Sequence, residues 1–294
     1  MLIFLNIIVA DMVYFKGLSK AQTAPIRLIK YRPANGKWFA FLPGPIRALA
    51  AKEIKSFFRD QTQWSQLFLI GALVVIYVYN FKVLPLEKSP IKTVYLQNLL
   101  SFLNMGLACF VLTAISARFA YPAVSNEGQA FWLVKSAPVR MKTFLWIKFF
   151  IYFFPLLTLT EIIIVTTNIF LQVTPFMMTL STITVLLMVP GVVAMGIGLG
   201  AAYADFNAEN PTQAVTSFGG FLFMILCGGF IALIIVLEAN PVYRLFMANL
   251  RNRDLSTWEW IWILGSFMMV LLLCILTIIV PMKFGGKKLS RRLI

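Results

Sequence analysis

Residues 178–204 read MTLSTITVLLMVPGVVAMGIGLGAAYA, without one Asp, Glu, Lys or Arg. About twenty mostly apolar residues suffice for a helix to cross the hydrocarbon of a bilayer. Five more runs of this kind flank it, at residues 64–84, 95–117, 146–171, 217–238 and 259–281. The expected fold class is all-α: a polytopic membrane helix bundle with six transmembrane helices between residues 64 and 281. An N-terminal helix stub and an amphipathic interfacial helix are expected to precede them.

Composition points the same way. Of 294 residues, 60% are hydrophobic and 13% are charged, with a mean hydropathy of +0.84. A soluble domain carries roughly a quarter charged residues. A soluble enzyme is excluded. So is a single anchor with a large soluble head, because no long polar stretch exists to build one. The absence of histidine removes Ser-His-Asp and Cys-His catalysis, HExxH metal chemistry and haem ligation by His. Cys109, Cys227 and Cys274 lie far apart in apolar runs, with no CxxC pair, and read as small buried hydrophobes. A formal charge of +15 in such a chain points to loops facing anionic lipid, not to nucleic acid.

Residues 1–15 form a short apolar stub containing Asp11. It lacks the leading positive charge and the small-residue cleavage site of a secretory signal. It reads as the end of a helix or as a short anchor. Residues 16–63 are basic, and residues 282–294 form a basic tail. Lys and Arg also gather at Arg118, Lys135, Arg140 and Lys142. The opposite side holds only Lys82, Lys88, Lys92, Arg244, Arg251 and Arg253. By the positive-inside rule the richer side, with the C-terminus, is expected in the cytoplasm, and the membrane is the plasma (inner) membrane.

Three segments outside the spans carry pattern. Within PIRALAAKEIKSFFRD, residues 45–60, apolar side chains recur at helical spacing with Arg47, Lys52, Lys55 and Arg59 between them. That suits an interfacial helix started at Pro43 and Pro45. The alternative is a plain extension of the first span. Residues 118–143 are too polar to span, yet they contain Phe119, Tyr121, Phe131, Trp132, Leu133 and Val134. Such a loop buries itself against the membrane, its own bundle or another protein. The segment 239–257 places Val242, Leu245, Phe246 and Leu250 at helical spacing, as a short helix on the opposite surface.

Charge at membrane depth is costly and marks function by default. Glu161 lies midway along the third span, with Asn168 two turns on. The pair is a candidate translocation path; the alternative for Glu161 is a carboxyl kept neutral or bonded to a neighbouring helix. Lys148 and Glu238 sit near span ends, where snorkelling accounts for them. Gly196 and Gly200 form a GxxxG pair suited to close helix packing. No GxxxxGK[ST] phosphate loop is present.

Residues 51–85, 117–149 and 198–220 (AKEIKSFFRDQTQWSQLFLIGALVVIYVYNFKVLP, ARFAYPAVSNEGQAFWLVKSAPVRMKTFLWIKF and GLGAAYADFNAENPTQAVTSFGG) carry a resemblance over roughly residues 40–294. The chain resembles the membrane subunit of ABC-2 type ATP-binding-cassette transporters, within a subgroup of exporter permeases. The resemblance implies a permease that is not itself an enzyme and binds no cofactor. ATP and Mg would sit on a separate ABC ATPase subunit. The loop after the second span would carry a coupling helix at residues 125–135, with Glu127, Gly128, Phe131 and Trp132 against that ATPase. A second permease bundle would complete the unit, either a homodimer mate or the other half of a split permease, because the chain looks like a C-terminal six-helix half. Membrane lipids are the other expected partners. Rival readings are an ion-gradient-driven secondary transporter, an intramembrane enzyme and a non-transporting membrane assembly protein.

Overall fold

The computed structural model describes residues 43–83, 93–206, 211–251 and 253–291. The N-terminal stub and most of the basic segment before residue 43 lie outside them. All nine α-helices among the described residues follow from the apolar runs and their punctuation. Helix α1 (Gly44–Arg59) starts behind Pro43 with Pro45 in its first turn. It ends at Asp60, whose backbone is extended (φ −86°, ψ 102°). Asp60 then caps α2 (Gln61–Val83), its carboxylate accepting from the Gln63 amide at 3.4 Å and from Gln63 Nε2 at 2.9 Å. This Asp-x-x-Gln cap separates α1 from the first span, so α1 is a helix of its own and not an extension of that span. Trp64 Nε1 donates to the Phe58 carbonyl at 3.2 Å across the break.

The remaining elements are α3 (Thr93–Phe119), two 3₁₀ turns (Tyr121–Ala123 and Ser125–Ala130), α4 (Phe131–Ser136), α5 (Met141–Leu171), α6 (Pro175–Ala202), α7 (Pro211–Thr216), α8 (Phe218–Arg251) and α9 (Thr257–Arg291). Six helices, α2, α3, α5, α6, α8 and α9, are long and apolar enough to cross a membrane. This is the expected all-α polytopic bundle of a multi-pass membrane protein. Two boundaries differ from the sequence reading. The segment 239–257 is a continuation of α8 as far as Arg251, through Pro241. The basic tail is helical to Arg291, because α9 carries past Pro281.

Helix α6 forms the centre. Of its most apolar window 78% is buried, against 61% for α3 and 6% for α2. Its glycines explain that position. A Cβ on Gly200 would overlap the backbone carbonyl of Tyr121, and one on Gly196 would meet the Ala120 Cβ at 3.4 Å. The GxxxG pair therefore packs mainly against the turn that follows α3, with Phe223 of α8 also 3.6 Å from a Cβ on Gly196. Backbone contact between spanning helices uses Gly198 instead. A Cβ there would overlap the Pro281 backbone, and one on Gly285 would overlap the Gly198 backbone. Small residues let α6 and α9 approach to backbone contact.

Hydrogen bonds between helices hold the same core. Asn168 Nδ2 on α5 donates to Ser181 Oγ on α6 at 2.7 Å, and Ser101 Oγ on α3 donates to Asn168 Oδ1 at 2.6 Å. One helical turn away, Asn104 Nδ2 donates to Thr167 Oγ1 at 2.7 Å and receives the Tyr77 hydroxyl of α2.

Candidate functional site

The loop after α3 is built from a backbone constraint upward. Gly128 takes φ 53° and ψ −145°, in the region that favours glycine. The reversal there kinks the second 3₁₀ turn shortly before α4 starts at Phe131. Phe131, first in α4, is buried and stacks on Phe206 with centroids 4.5 Å apart and rings 20° from parallel. It meets Phe144 of α5 edge-on at 6.1 Å. Ser125 Oγ accepts from the Asp205 amide at 3.1 Å, so the loop is also tied to the chain leaving α6. With Phe131 fixed inward, α4 turns Trp132 and Leu133 outward, at 64% and 54% exposure.

Beneath this turn lies a four-charge cluster. Lys148 of α5 is 1% exposed. Its Nζ lies 2.8 Å from Glu127 Oε1 and 2.9 Å from Glu53 Oε2 of α1, and it sits 5.0 Å from the centre of the Phe144 ring. Lys52 pairs with the other oxygen of Glu127 and stands 3.8 Å from Glu53. Two ammonium groups thus share two carboxylates, and three parts of the chain meet at one point: α1, the loop and the start of α5. Glu127 touches both lysines. Glu53 has the poorer share, and burial raises its carboxyl above the ordinary value even though Lys148 opposes the shift. The cluster opens on a cavity of about 430 Å³, lined by Lys52, Glu53, Asp60, Gln63, Glu127 and Lys148 among others.

The residues singled out for partner contact therefore divide. Trp132 is on the surface. Gly128 is half-buried and shapes the turn, while Glu127 and Phe131 are buried in the chain's own fold. Of the two candidates for a translocation path, Asn168 is 1% exposed and fully engaged in the α3–α5–α6 hydrogen bonds described above. Both carboxyl oxygens of Glu161 are shielded and have no hydrogen-bond partner among the described residues. The structure does not bring the two together. Snorkelling fails for Lys148 and Glu238 alike: both are 1% exposed and turned into the protein. Lys148 is held by carboxylates, and Glu238 of α8 accepts from the Thr184 hydroxyl of α6.

Sequence reasoning passed over Glu53 and Phe206, and it read Lys52 only as one of the basic residues of an interfacial helix. The usable signal was Lys148 itself, a lone cation among Trp146, Phe149 and Phe150 in an otherwise uncharged stretch. Such a cation demands a buried counter-charge. Among the described residues no three Cys, Asp or Glu side chains converge closely enough to hold a metal ion.

A multi-pass membrane protein, with six spanning-length helices among its described residues and a braced loop at one end of the bundle, is the class that this fold defines. The chain belongs to the family described as "Putative ATP-binding cassette", whose profile matches residues 1–293. That membership associates it with ATP-binding-cassette transport and its multi-subunit systems. No curated protein and no solved structure matches the chain.

Proposed function

We propose that the chain is the permease subunit of an ABC-2 type exporter, driven by ATP hydrolysis on a separate ATPase subunit. The carrying observation is α4. It offers two large apolar side chains, Trp132 and Leu133, from a turn anchored underneath by Phe131 and by the Glu127–Lys148 ion pair. An exposed apolar pair on a rigid mount is what a partner protein can push. Family membership supports an ATP-binding-cassette system, and on this reading the nucleotide is bound by another chain. On this reading the end of the bundle with α1 and the loop faces the cytoplasm, as does the C-terminus, and the membrane is the plasma membrane. The working unit holds two such bundles, from a second copy or from another permease chain.

The mechanism follows from the cluster. Closure of the ATPase displaces α4. Because Glu127 is tied to Lys148 of α5 and to Lys52 of α1, and Lys148 to Glu53, the loop, the interfacial helix and the third span move as one body. The bundle then alternates its exposure by a population shift between two packings.

The test is capture of partners from native membranes in mild detergent with a tagged chain, read by mass spectrometry. Wild type is expected to retain an ATP-binding-cassette ATPase. The Trp132→Ala, Leu133→Ala double variant, whose altered side chains are surface ones, is expected to lose it while remaining folded. Absence of any ATPase with folded wild type would overturn the proposal.

A further inference from the structure

A second buried acid lies away from the loop. Glu238 sits on α8, three residues before Pro241. Among the described residues its two oxygens share one hydrogen-bond donor, the Thr184 hydroxyl of α6, at 2.9 and 3.2 Å. Thr184 is roughly 14 Å along α6 from the start of that helix. Because α6 has 28 residues, its length of about 42 Å exceeds the roughly 30 Å of hydrocarbon. Thr184, and Glu238 with it, therefore lie inside the apolar slab.

Among the described residues no Lys or Arg is paired with Glu238. Near it lie the thiols of Cys109 on α3 and Cys274 on α9, both buried. Cys109 also lies near Glu161 of α5 and touches Met188 of α6, sulfur to sulfur, at 3.8 Å. These neighbours, the two thiols on α3 and α9 and the Thr184 hydroxyl on α6, are neutral or potentially negative. On the α8 side the cation nearest in sequence, Arg244, is already bonded to Asn240 and paired with Glu259. A carboxylate in that setting loses its water and gains one neutral donor, which does not compensate.

We infer that Glu238 and Thr184 form a proton-binding site inside the bundle, occupied while α6 and α8 are packed together. The step is simple to balance. When the two helices part and water enters, the carboxyl O–H bond breaks, the proton passes to a water molecule, and a carboxylate remains. Repacking requires the proton to return. Closing this part of the bundle therefore takes up one proton, whichever subunit arrangement drives it, and the inference stands independently of the exporter reading.

The experiment is infrared spectroscopy of the purified full chain in lipid nanodiscs, in H₂O and in D₂O, comparing wild type with Glu238→Gln and Glu161→Gln. The expected result is a protonated-carboxyl C=O band at neutral pH that is lost in Glu238→Gln and kept in Glu161→Gln. Loss of a carboxylate band in Glu238→Gln, with the C=O band intact, would overturn the inference. Thermal unfolding followed by tryptophan emission gives a second reading. Glu238→Gln imitates the protonated side chain, so it should fold as well as wild type. Wild-type stability should fall relative to the variant as the pH rises, because the native state holds a proton that the unfolded chain gives up. A variant equally sensitive to pH, or unstable at every pH, would count against the site.

Discussion

Replacing Lys148 by methionine tests the cluster most directly, because one side chain serves two carboxylates. Lys148 is 1% exposed, and the side chains of Glu127 and Glu53 are 3% and 11% exposed. Methionine fills nearly the same volume, so the loss is electrostatic rather than a packing defect. Removing one partner of a buried ion pair costs about 3–5 kcal/mol, because the remaining charge is left without compensation. Lys52, 48% exposed, remains beside Glu127 and softens the loss. The expected cost is therefore at the low end, about 3 kcal/mol. At roughly 2–4 °C per kcal/mol for a chain of this size, that lowers Tm by about 6–12 °C.

The molecule supplies its own reporter. Cys109, Cys227 and Cys274 are all buried, so a maleimide dye that fluoresces on reaction follows unfolding near pH 7. Scans at one heating rate keep the comparison fair where unfolding is irreversible. The deficit also has a sign in pH. Burial already raises the Glu53 carboxyl against the opposition of Lys148, and deleting that cation raises it further. A carboxyl raised in the folded state contributes stability fully present below its unfolded value, near 4.3, and lost as the pH climbs through the folded value. The variant's deficit should therefore be large at pH 8 and smaller at pH 5. Tryptophan emission serves at pH 5, where thiols react slowly. Adding Glu53→Gln to Lys148→Met should recover part of the loss at pH 8. A Tm within about 2 °C of wild type at both pH values would refute the reasoning, since no buried pair of this geometry is that cheap to break.

Gly200→Ala forces a methyl into the Tyr121 carbonyl and should cost at least 1–3 kcal/mol in the same melt, as overpacking does. Gly265→Ala, which meets nothing within 4 Å, should be neutral or stabilising by up to about 1 kcal/mol. Phe131→Ala removes a buried ring stacked on Phe206 and should cost about 3–5 kcal/mol, whereas Trp132→Ala should leave Tm unchanged and alter only partner capture. Asn168→Ala deletes two inter-helix hydrogen bonds, each worth roughly 0.6 kcal/mol on average in membranes, and should lower stability by about 1–2 kcal/mol. If Asn168 lined a path, the change would instead appear as altered transport without loss of Tm.

Spans were legible because a bilayer imposes a length and a polarity that any apolar run reveals. The α1–α2 break was half-legible: Asp60 and Gln63 stand at capping spacing, although the motif was not used. The direction of side chains was harder to read. Phe131 and Trp132 are neighbours of similar composition, and only the Gly128 reversal together with the ring of Phe206 decides which one faces inward. The charge cluster joins residues 52, 53, 127 and 148, which share no local pattern. Lys148 and Glu238 were misjudged for one reason. Nearness to the end of a span permits snorkelling only if the residue faces outward, and facing is a property of the packed bundle.

The loop end and the Glu238 contact divide the mechanical work of the bundle. At the loop end, backbone contact between Gly200 and Tyr121, the Phe131–Phe206 stack and the ion pairs of Lys148 all tie elements together by close-range interactions that tolerate little displacement. A force on α4 is therefore passed on rather than absorbed. Between α6 and α8 at Glu238, the polar tie is one hydroxyl to one carboxyl, and α8 carries Pro241 just beyond. Proline there removes a backbone hydrogen bond and allows a bend. Stiff coupling at one end and a weak, protonatable tie near a proline on α8 predict where the bundle yields: α8 should part from α6 near Thr184 while the loop end stays intact. Hydrogen exchange would display this as fast exchange in residues 236–246 with protection of residues 121–134. Equal protection of both segments would mean that the bundle moves as one piece.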